Sequence, residues 1–168
     1  ISIAETHNEP LYYIATSKAD DEEMKKRIKR HRNERKLSGY DWKTIEITDQ
    51  FYEKVIDLNI EGIVLLDCLT VLTANELFAK PFTEEEIDAV SEAVKMRLLD
   101  GLRVLRDQAV TLIVVSNEIH YEWNNDLYVQ AYQRLLGQLH QQIVTESTKS
   151  YLVESSIPIL MKEMSWEA

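Results

Sequence analysis

The chain of 168 residues has one cysteine, four glycines and three prolines. A single cysteine excludes an internal disulfide and a multi-cysteine zinc site, and it fits a reducing cytoplasm. The scarcity of glycine and proline argues against a loop-rich, collagenous or low-complexity protein. No stretch approaches the roughly 20 consecutive apolar residues of a membrane helix. No basic start followed by an apolar core marks a signal peptide at Ile1. His7, His31, His120 and His140 show no metal-ligand spacing such as HxxxH. The phosphate-cradling motif GxxxxGK[ST] does not occur.

What is present describes an ordinary globular domain. Hydrophobic residues make up 45% and charged residues 29%. The length suits one domain, taken as residues 1–168, and is short for two. Asp and Glu number 29 against 19 Lys and Arg, a net charge of −10. Such a chain repels phosphate and is a poor general binder of nucleic acid. The bases are nevertheless concentrated. Lys25, Lys26, Arg27, Lys29, Arg30, Arg32, Arg35 and Lys36 lie together, as either a solvated helix face or a local anion site.

Hydrophobic periodicity organises the rest. Leu11–Thr16 (LYYIAT) reads as a buried strand. Acids from Asp20 to Glu23 followed by bases match a helix dipole, predicting a helix over Asp20–Asn33 that ends by Ser38-Gly39. Trp42–Ile47 alternates as a strand. Asp49 is the expected cap of a short helix running to Leu58. Ile60–Asp67 is apolar on both faces, as in a central parallel strand. A helix is expected over Leu69–Ala79. Thr83 and Glu86 form a capping-box pattern for a long helix reaching Arg106. Its stripe is Ile87, Val90, Val94, Leu98, Leu102 and Leu105. Val110–Ser116 is another buried strand, Asn125–Ser147 a second long helix, and Tyr151–Ser155 a last strand. Ile157–Met164 reads as an appendage.

Strands alternating with helices predict an α/β protein with a mostly parallel sheet flanked by helices, Tyr151–Val153 among its strands. Chemistry in such sheets gathers beyond the C-terminal strand ends. Those ends carry Thr16-Ser17, Asp67-Cys68 and Asn117-Glu118. Asp67 is placed either to hold Mg²⁺ near phosphate or to cap the next helix. Asn117 and Glu118 either orient a substrate hydroxyl or metal-bound water, or form a turn and cap. His31, flanked by Arg30 and Arg32, is either a nucleophile toward phosphorus or a surface histidine. His7, His120 and His140 read as structural or surface residues. Cys68 reads as a small buried residue. Tyr12, Tyr13, Tyr128 and Tyr132 read as core rather than as a stacking platform.

The order of motifs carries a resemblance: YIATS (Tyr13–Ser17), DDEEMKKRIKRH (Asp20–His31), WKTIE (Trp42–Glu46), LLDCLT (Leu65–Thr70) with Asn75, VVSNE (Val114–Glu118) and GQLHQ (Gly137–Gln141). From about Leu11 to Lys162 the chain resembles the bifunctional adenosylcobinamide kinase / adenosylcobinamide-phosphate guanylyltransferase family of cobalamin biosynthesis. The resemblance implies a P-loop NTPase (RecA-like) core, with the P-loop segment lying upstream of Ile1 and so absent from this chain. A sheet without that segment is expected to show an unfilled slot or to be completed by another stretch. The implied activity is phosphorylation of adenosylcobinamide, then transfer of GMP from GTP to the phosphate through a guanylyl-histidine. By position, His31 matches that histidine and Asp67 the Mg²⁺ partner. Thr16, Ser17, Asp21 and Arg30 match the nucleotide site. The resemblance further implies GTP or ATP and a corrinoid as substrates and a homo-oligomer (a trimer by analogy). The single cysteine fits the cytoplasm. The global charge opposes a nucleic-acid partner, and a nucleic-acid role for the basic helix stays a minor alternative. One internal segment departs from the family pattern. Ile119 to Asn124 replace a glycine-containing stretch, and bulky Tyr121 and Trp123 do not allow the close backbone approach of glycine. A non-catalytic or partly degenerate nucleotide- or corrinoid-binding homologue is therefore the alternative reading.

Overall fold

The structure, a computed structural model, describes residues 9–18, 22–117 and 125–164, without the Arg27 side chain. Strand β1 (Leu11–Ala15) is followed by helix α1 (Glu22–Leu37), β2 (Trp42–Glu46), the short α2 (Phe51–Ile56) and β3 (Ile63–Asp67). Next come α3 (Leu69–Leu77), a 3₁₀ turn (Glu84–Glu86), α4 (Ile87–Gln108), β4 (Thr111–Val115) and α5 (Leu127–Glu146). Strands β5 (Lys149–Glu154) and β6 (Ile157–Glu163) close the order. No described helix is long and apolar enough to cross a membrane.

The sheet is parallel, in the order β2-β1-β3-β4. The protein is therefore α/β, as expected, and the two strands that are apolar on both faces are central. Ile14, Val64 and Leu66 are fully buried. They join Leu69 and Leu72 of α3, Leu98, Leu102 and Leu105 of α4, and Leu135 and Leu139 of α5 in one core. Truncating any of these to alanine removes about 2–5 kcal/mol by lost transfer energy and cavity formation. The capping box forms as the sequence indicates: the Thr83 amide donates to Glu86 Oε2 at 2.8 Å. The first turn is 3₁₀ rather than α, so α4 proper begins at Ile87. Gly101 lets α2 approach α4 closely, since a Cβ there would lie 2.7 Å from the Phe51 ring.

Three expectations need correction. Asp49 does not cap α2. Gln50 is the N-cap, in the left-handed region (φ 50°), and Glu76 of α3 accepts the Phe51 amide at 2.7 Å. Asp49 instead pairs with Lys54 at 2.6 Å and Lys18 at 3.8 Å. Tyr151–Val153 does not join the parallel sheet. It pairs antiparallel with Pro158–Leu160 in a separate hairpin. Ile157–Met164, read as an appendage, supplies that partner strand. The physical reason is local. Ser155 (φ 50°) and Ser156 (φ 66°) form a two-residue turn with both φ positive, the geometry that matches strand twist in a hairpin. Lys162 then ties the hairpin to the end of α5, donating to Val144 O at 2.7 Å, Thr145 O at 2.9 Å and Ser147 O at 2.7 Å. The described sheet ends at β4, whose second edge pairs with no described strand.

A charge cluster locks α4 to α5. Glu146 accepts from Arg103 Nη2 at 2.6 Å, from Gln142 at 2.8 Å and from Arg106 Nη1 at 3.3 Å. Arg103 and Gln142, with Arg106 behind them, hold its carboxyl down at about 2. A carboxylate depressed in the folded state stabilises above its unfolded value, near 4.3, and that contribution is lost as pH falls toward the folded value. Glu146→Gln is therefore expected to lower Tm by about 2–4 °C at pH 7, on the order of 1 kcal/mol once solvent screening is allowed for, and by much less near pH 2. Thermal melts of both proteins across that range check it.

Candidate functional site: a cation-lined cleft at the strand ends

The parallel register levels the strands at one edge: Ala15 is opposite Glu46 on one side and Asp67 on the other, and Asp67 is opposite Val115. The segments that leave this edge bring together Ser17-Lys18, Thr48, Cys68 and Asn117. Helix α1 runs alongside and closes a cleft of about 620 Å³. From α1 the lining takes Met24, Lys25, Ile28, Lys29, His31, Arg32 and Arg35. The spacing 28, 31, 32, 35 is one face of a helix. From the sheet edge and beyond come Tyr13, Ala15, Ser17, Lys18, Glu46, Thr48, Asp67, Cys68, Val71 and Asn117. The cations Lys18, Lys25, Lys29, Arg32 and Arg35 outnumber the acids Glu46 and Asp67 here, although the chain as a whole is acidic. Arg32 is paired with Glu46. The resulting local field suits an anion.

His31 is half-buried, with Nδ1 3.2 Å from Glu34 Oε2. A carboxylate there favours the proton on Nδ1 and leaves Nε2 with its lone pair, as a nucleophile requires. Asp67 accepts the Tyr13 hydroxyl on Oδ2 at 2.5 Å. It is not the cap of α3, a position held by Cys68. Among the described residues no three His, Cys, Asp or Glu side chains could hold a metal by themselves. A lone carboxylate of this kind fits Mg²⁺ that keeps its waters and arrives on a phosphate, because that ion needs few protein ligands. The Tyr13 phenol is raised above its ordinary range by burial first and the Asp67 bond second.

Thr16 is completely buried and does not line the cleft. Its hydroxyl donates to Cys68 O at 2.9 Å and accepts from Cys68 N at 2.7 Å, while Asn75 Nδ2 donates to Thr16 O at 3.0 Å. It thus ties the end of β1 to the end of β3. Arg30 turns away from the cleft toward Glu34, 3.7 Å distant. Ser17, His31 and Asp67 do line the cleft. Asp21 lies outside the described residues, as do Glu118, His7, His120 and the segment Ile119–Asn124.

Reading the sequence alone missed two features. Tyr13 is a buried strand residue, yet it also forms the cleft wall, with the Arg35 guanidinium 3.5 Å over its ring. Of the two readings of His140, structural or surface, the structural one holds, and what the sequence does not give is its partners. Its Nε2 lies 2.7 Å from Ser116 Oγ, which is 3.0 Å from Thr70 Oγ1. Thr70 in turn accepts the Asn117 amide at 2.7 Å, and its carbonyl accepts the Tyr132 hydroxyl at 3.0 Å. Burial, with Cys68 as a lesser electrostatic contributor, pushes the Tyr132 phenol up to about 12, so it stays a donor. This network fastens α5 to the end of β4. Parallel strands, which place distant residues side by side, give the chain no sequence signal for such a pair.

Relatives now bear on the cleft. A bifunctional adenosylcobalamin biosynthesis protein CobU from Escherichia coli (strain K12) is 28% identical over 158 residues, covering 90% of this chain and 86% of that protein. The protein of the same description from Salmonella typhimurium (strain LT2) is 24% identical over the same shares. The profile of the family described as cobinamide kinase / cobinamide phosphate guanyltransferase matches residues 2–161, and the chain belongs to that family.

Proposed function

We propose that this protein is a nucleotide-dependent transferase of adenosylcobalamin biosynthesis. It phosphorylates adenosylcobinamide and transfers GMP from GTP to the new phosphate through a guanylyl intermediate on His31. One observation carries the reading: the half-buried imidazole opens onto the same cation-lined cleft as Asp67, at the sheet edge where α/β proteins bind ligands. In the guanylyl step, Nε2 of His31 attacks the α-phosphorus of GTP. The new N–P bond forms as the bond to pyrophosphate breaks, and pyrophosphate leaves with the electron pair. A phosphate oxygen of adenosylcobinamide phosphate then attacks the same phosphorus and releases the imidazole. Arg32 and Arg35, on the His31 face of α1, offset charge as it develops on the phosphoryl oxygens. Lys18 and Lys29 add to the field, and Ser17 offers a hydroxyl to the nucleotide. Mg²⁺, held beside Asp67, would neutralise the charge of the phosphates.

Calorimetric titration of GTP into the full-length protein, with and without Mg²⁺, tests the site. Asp67→Asn is expected to remove most of the Mg²⁺-dependent gain in affinity, about tenfold, and to leave Tm nearly unchanged. Equal affinities for the two proteins in both conditions would take Asp67 out of the site.

A further inference from the structure

We propose that Tyr13 is a positioning residue of the cleft, fixing the Asp67 carboxylate through its hydroxyl and seating Arg35 on its ring. The inference rests on the nucleotide reading of the cleft. It starts from the parallel register. Ala15 of β1 is opposite Asp67 of β3, so Tyr13, two positions earlier, presents its side chain on the same face. Two residues along a strand span about 6.6 Å, close to the reach of a tyrosine side chain. The hydroxyl therefore arrives at Asp67 Oδ2, 2.5 Å away, the length of a charge-assisted O–H to carboxylate bond.

A phenylalanine would fill the same buried space, since Tyr13 is only 7% exposed. What the hydroxyl adds to that ring is its bond to the cleft's carboxylate. Among the described residues nothing else hydrogen-bonds Asp67 through its side chain, so Oδ1 is left for a water of a hydrated cation. One fixed oxygen and one open oxygen is the arrangement in which a second residue orients a ligand carboxylate. The other face of the ring carries Arg35, 3.5 Å from the centroid and four residues from His31 on the same helical face. A guanidinium stacked on an aromatic ring keeps its donors at the edges for an anion. The single side chain thus spaces the carboxylate of β3 from the cationic face of α1. The phenol remains protonated through neutral pH, held there by burial and by Asp67 itself.

The test measures GTP affinity by calorimetry, with and without Mg²⁺, for wild type, Tyr13→Phe, Tyr13→Leu, Asp67→Asn and the Tyr13→Phe/Asp67→Asn pair, with a thermal melt of each. Tyr13→Phe keeps the ring and is expected to cut the Mg²⁺-dependent gain about five- to tenfold, with metal-free affinity within twofold. In the Asp67→Asn background the same change has no further effect, which a purely structural role would not produce. Tyr13→Leu also weakens metal-free binding, about two- to fivefold, because Arg35 loses its platform. If Tyr13→Phe keeps the wild-type response to Mg²⁺ while Asp67→Asn loses it, the cleft reading stands and the role of Tyr13 is refuted. If wild-type affinity does not respond to Mg²⁺, the cleft reading falls and this proposal falls with it.

Discussion

His31→Ala leaves GTP binding within about threefold of wild type and lowers guanylyl transfer by at least about 10³-fold, the scale on which losing a covalent nucleophile acts. The separation follows from the cleft. His31 is half-buried at the cleft wall and outside the hydrophobic core, so its removal leaves no cavity. The cations that attract phosphate, Lys18, Lys29, Arg32 and Arg35, remain in place. What is lost is the lone pair that attacks phosphorus. Glu34→Gln has a smaller effect in the same direction, because its carboxylate, 3.2 Å from Nδ1, sets the tautomer without taking part in the bond. Stopped-time assays with GTP and adenosylcobinamide phosphate, beside calorimetry, separate the two quantities.

Thr16→Val unfolds the protein about 3–10 °C earlier than wild type, a loss of about 1–3 kcal/mol. Valine matches threonine in shape but offers no hydroxyl. The Cys68 amide, which donates to Thr16 Oγ1, would be left unpaired in a buried place, while the Cys68 carbonyl would keep the Leu72 amide as its donor. An unsatisfied buried backbone N–H costs more than the net worth of the hydrogen bond it loses. Thr16→Ser restores both partners and recovers most of the loss. The same variant tests the functional geometry, since Asp67 and Ser17 stand next to the tie. Thr16→Val is expected to weaken Mg²⁺-dependent GTP binding at a temperature where it is still folded, and Thr16→Ser is not.

The contrast between Thr16 and Arg30 shows what one dimension conveys. Motif position put both at the nucleotide. Threonine at a strand end is equally suited to meet a ligand or its neighbouring strand. Its choice depends on the pairing of β1 with β3, which the chain does not announce. Arg30 was decidable by helical geometry alone. With His31 toward the cleft, positions 28, 32 and 35 share its face, and 30 lies off it beside Glu34.

The central strands were legible because burial on both faces leaves an unbroken apolar run, as Ile14, Val64 and Leu66 demonstrate. The start of α4 was legible because its capping box is written in Thr83 and Glu86. The hairpin of β5 and β6 was not. Its turn uses Ser155-Ser156 where glycine or asparagine usually signals positive φ, so nothing in the sequence separates that strand from the sheet. Tyr13 was hidden for a related reason. In an apolar strand, a tyrosine reads as filling, and the carboxylate that its hydroxyl meets is 54 residues away.

A guanylyl-transferring His31 must carry the α-phosphorus of GTP before it reaches the second substrate. Full-length protein incubated with labelled GTP and Mg²⁺, then digested and analysed by mass spectrometry, is expected to carry GMP on His31. That adduct is acid-labile and alkali-stable, as a phosphoramidate is, and it disappears when adenosylcobinamide phosphate is added. Absence of any adduct at saturating GTP, or an adduct on a residue other than His31, would contradict the account.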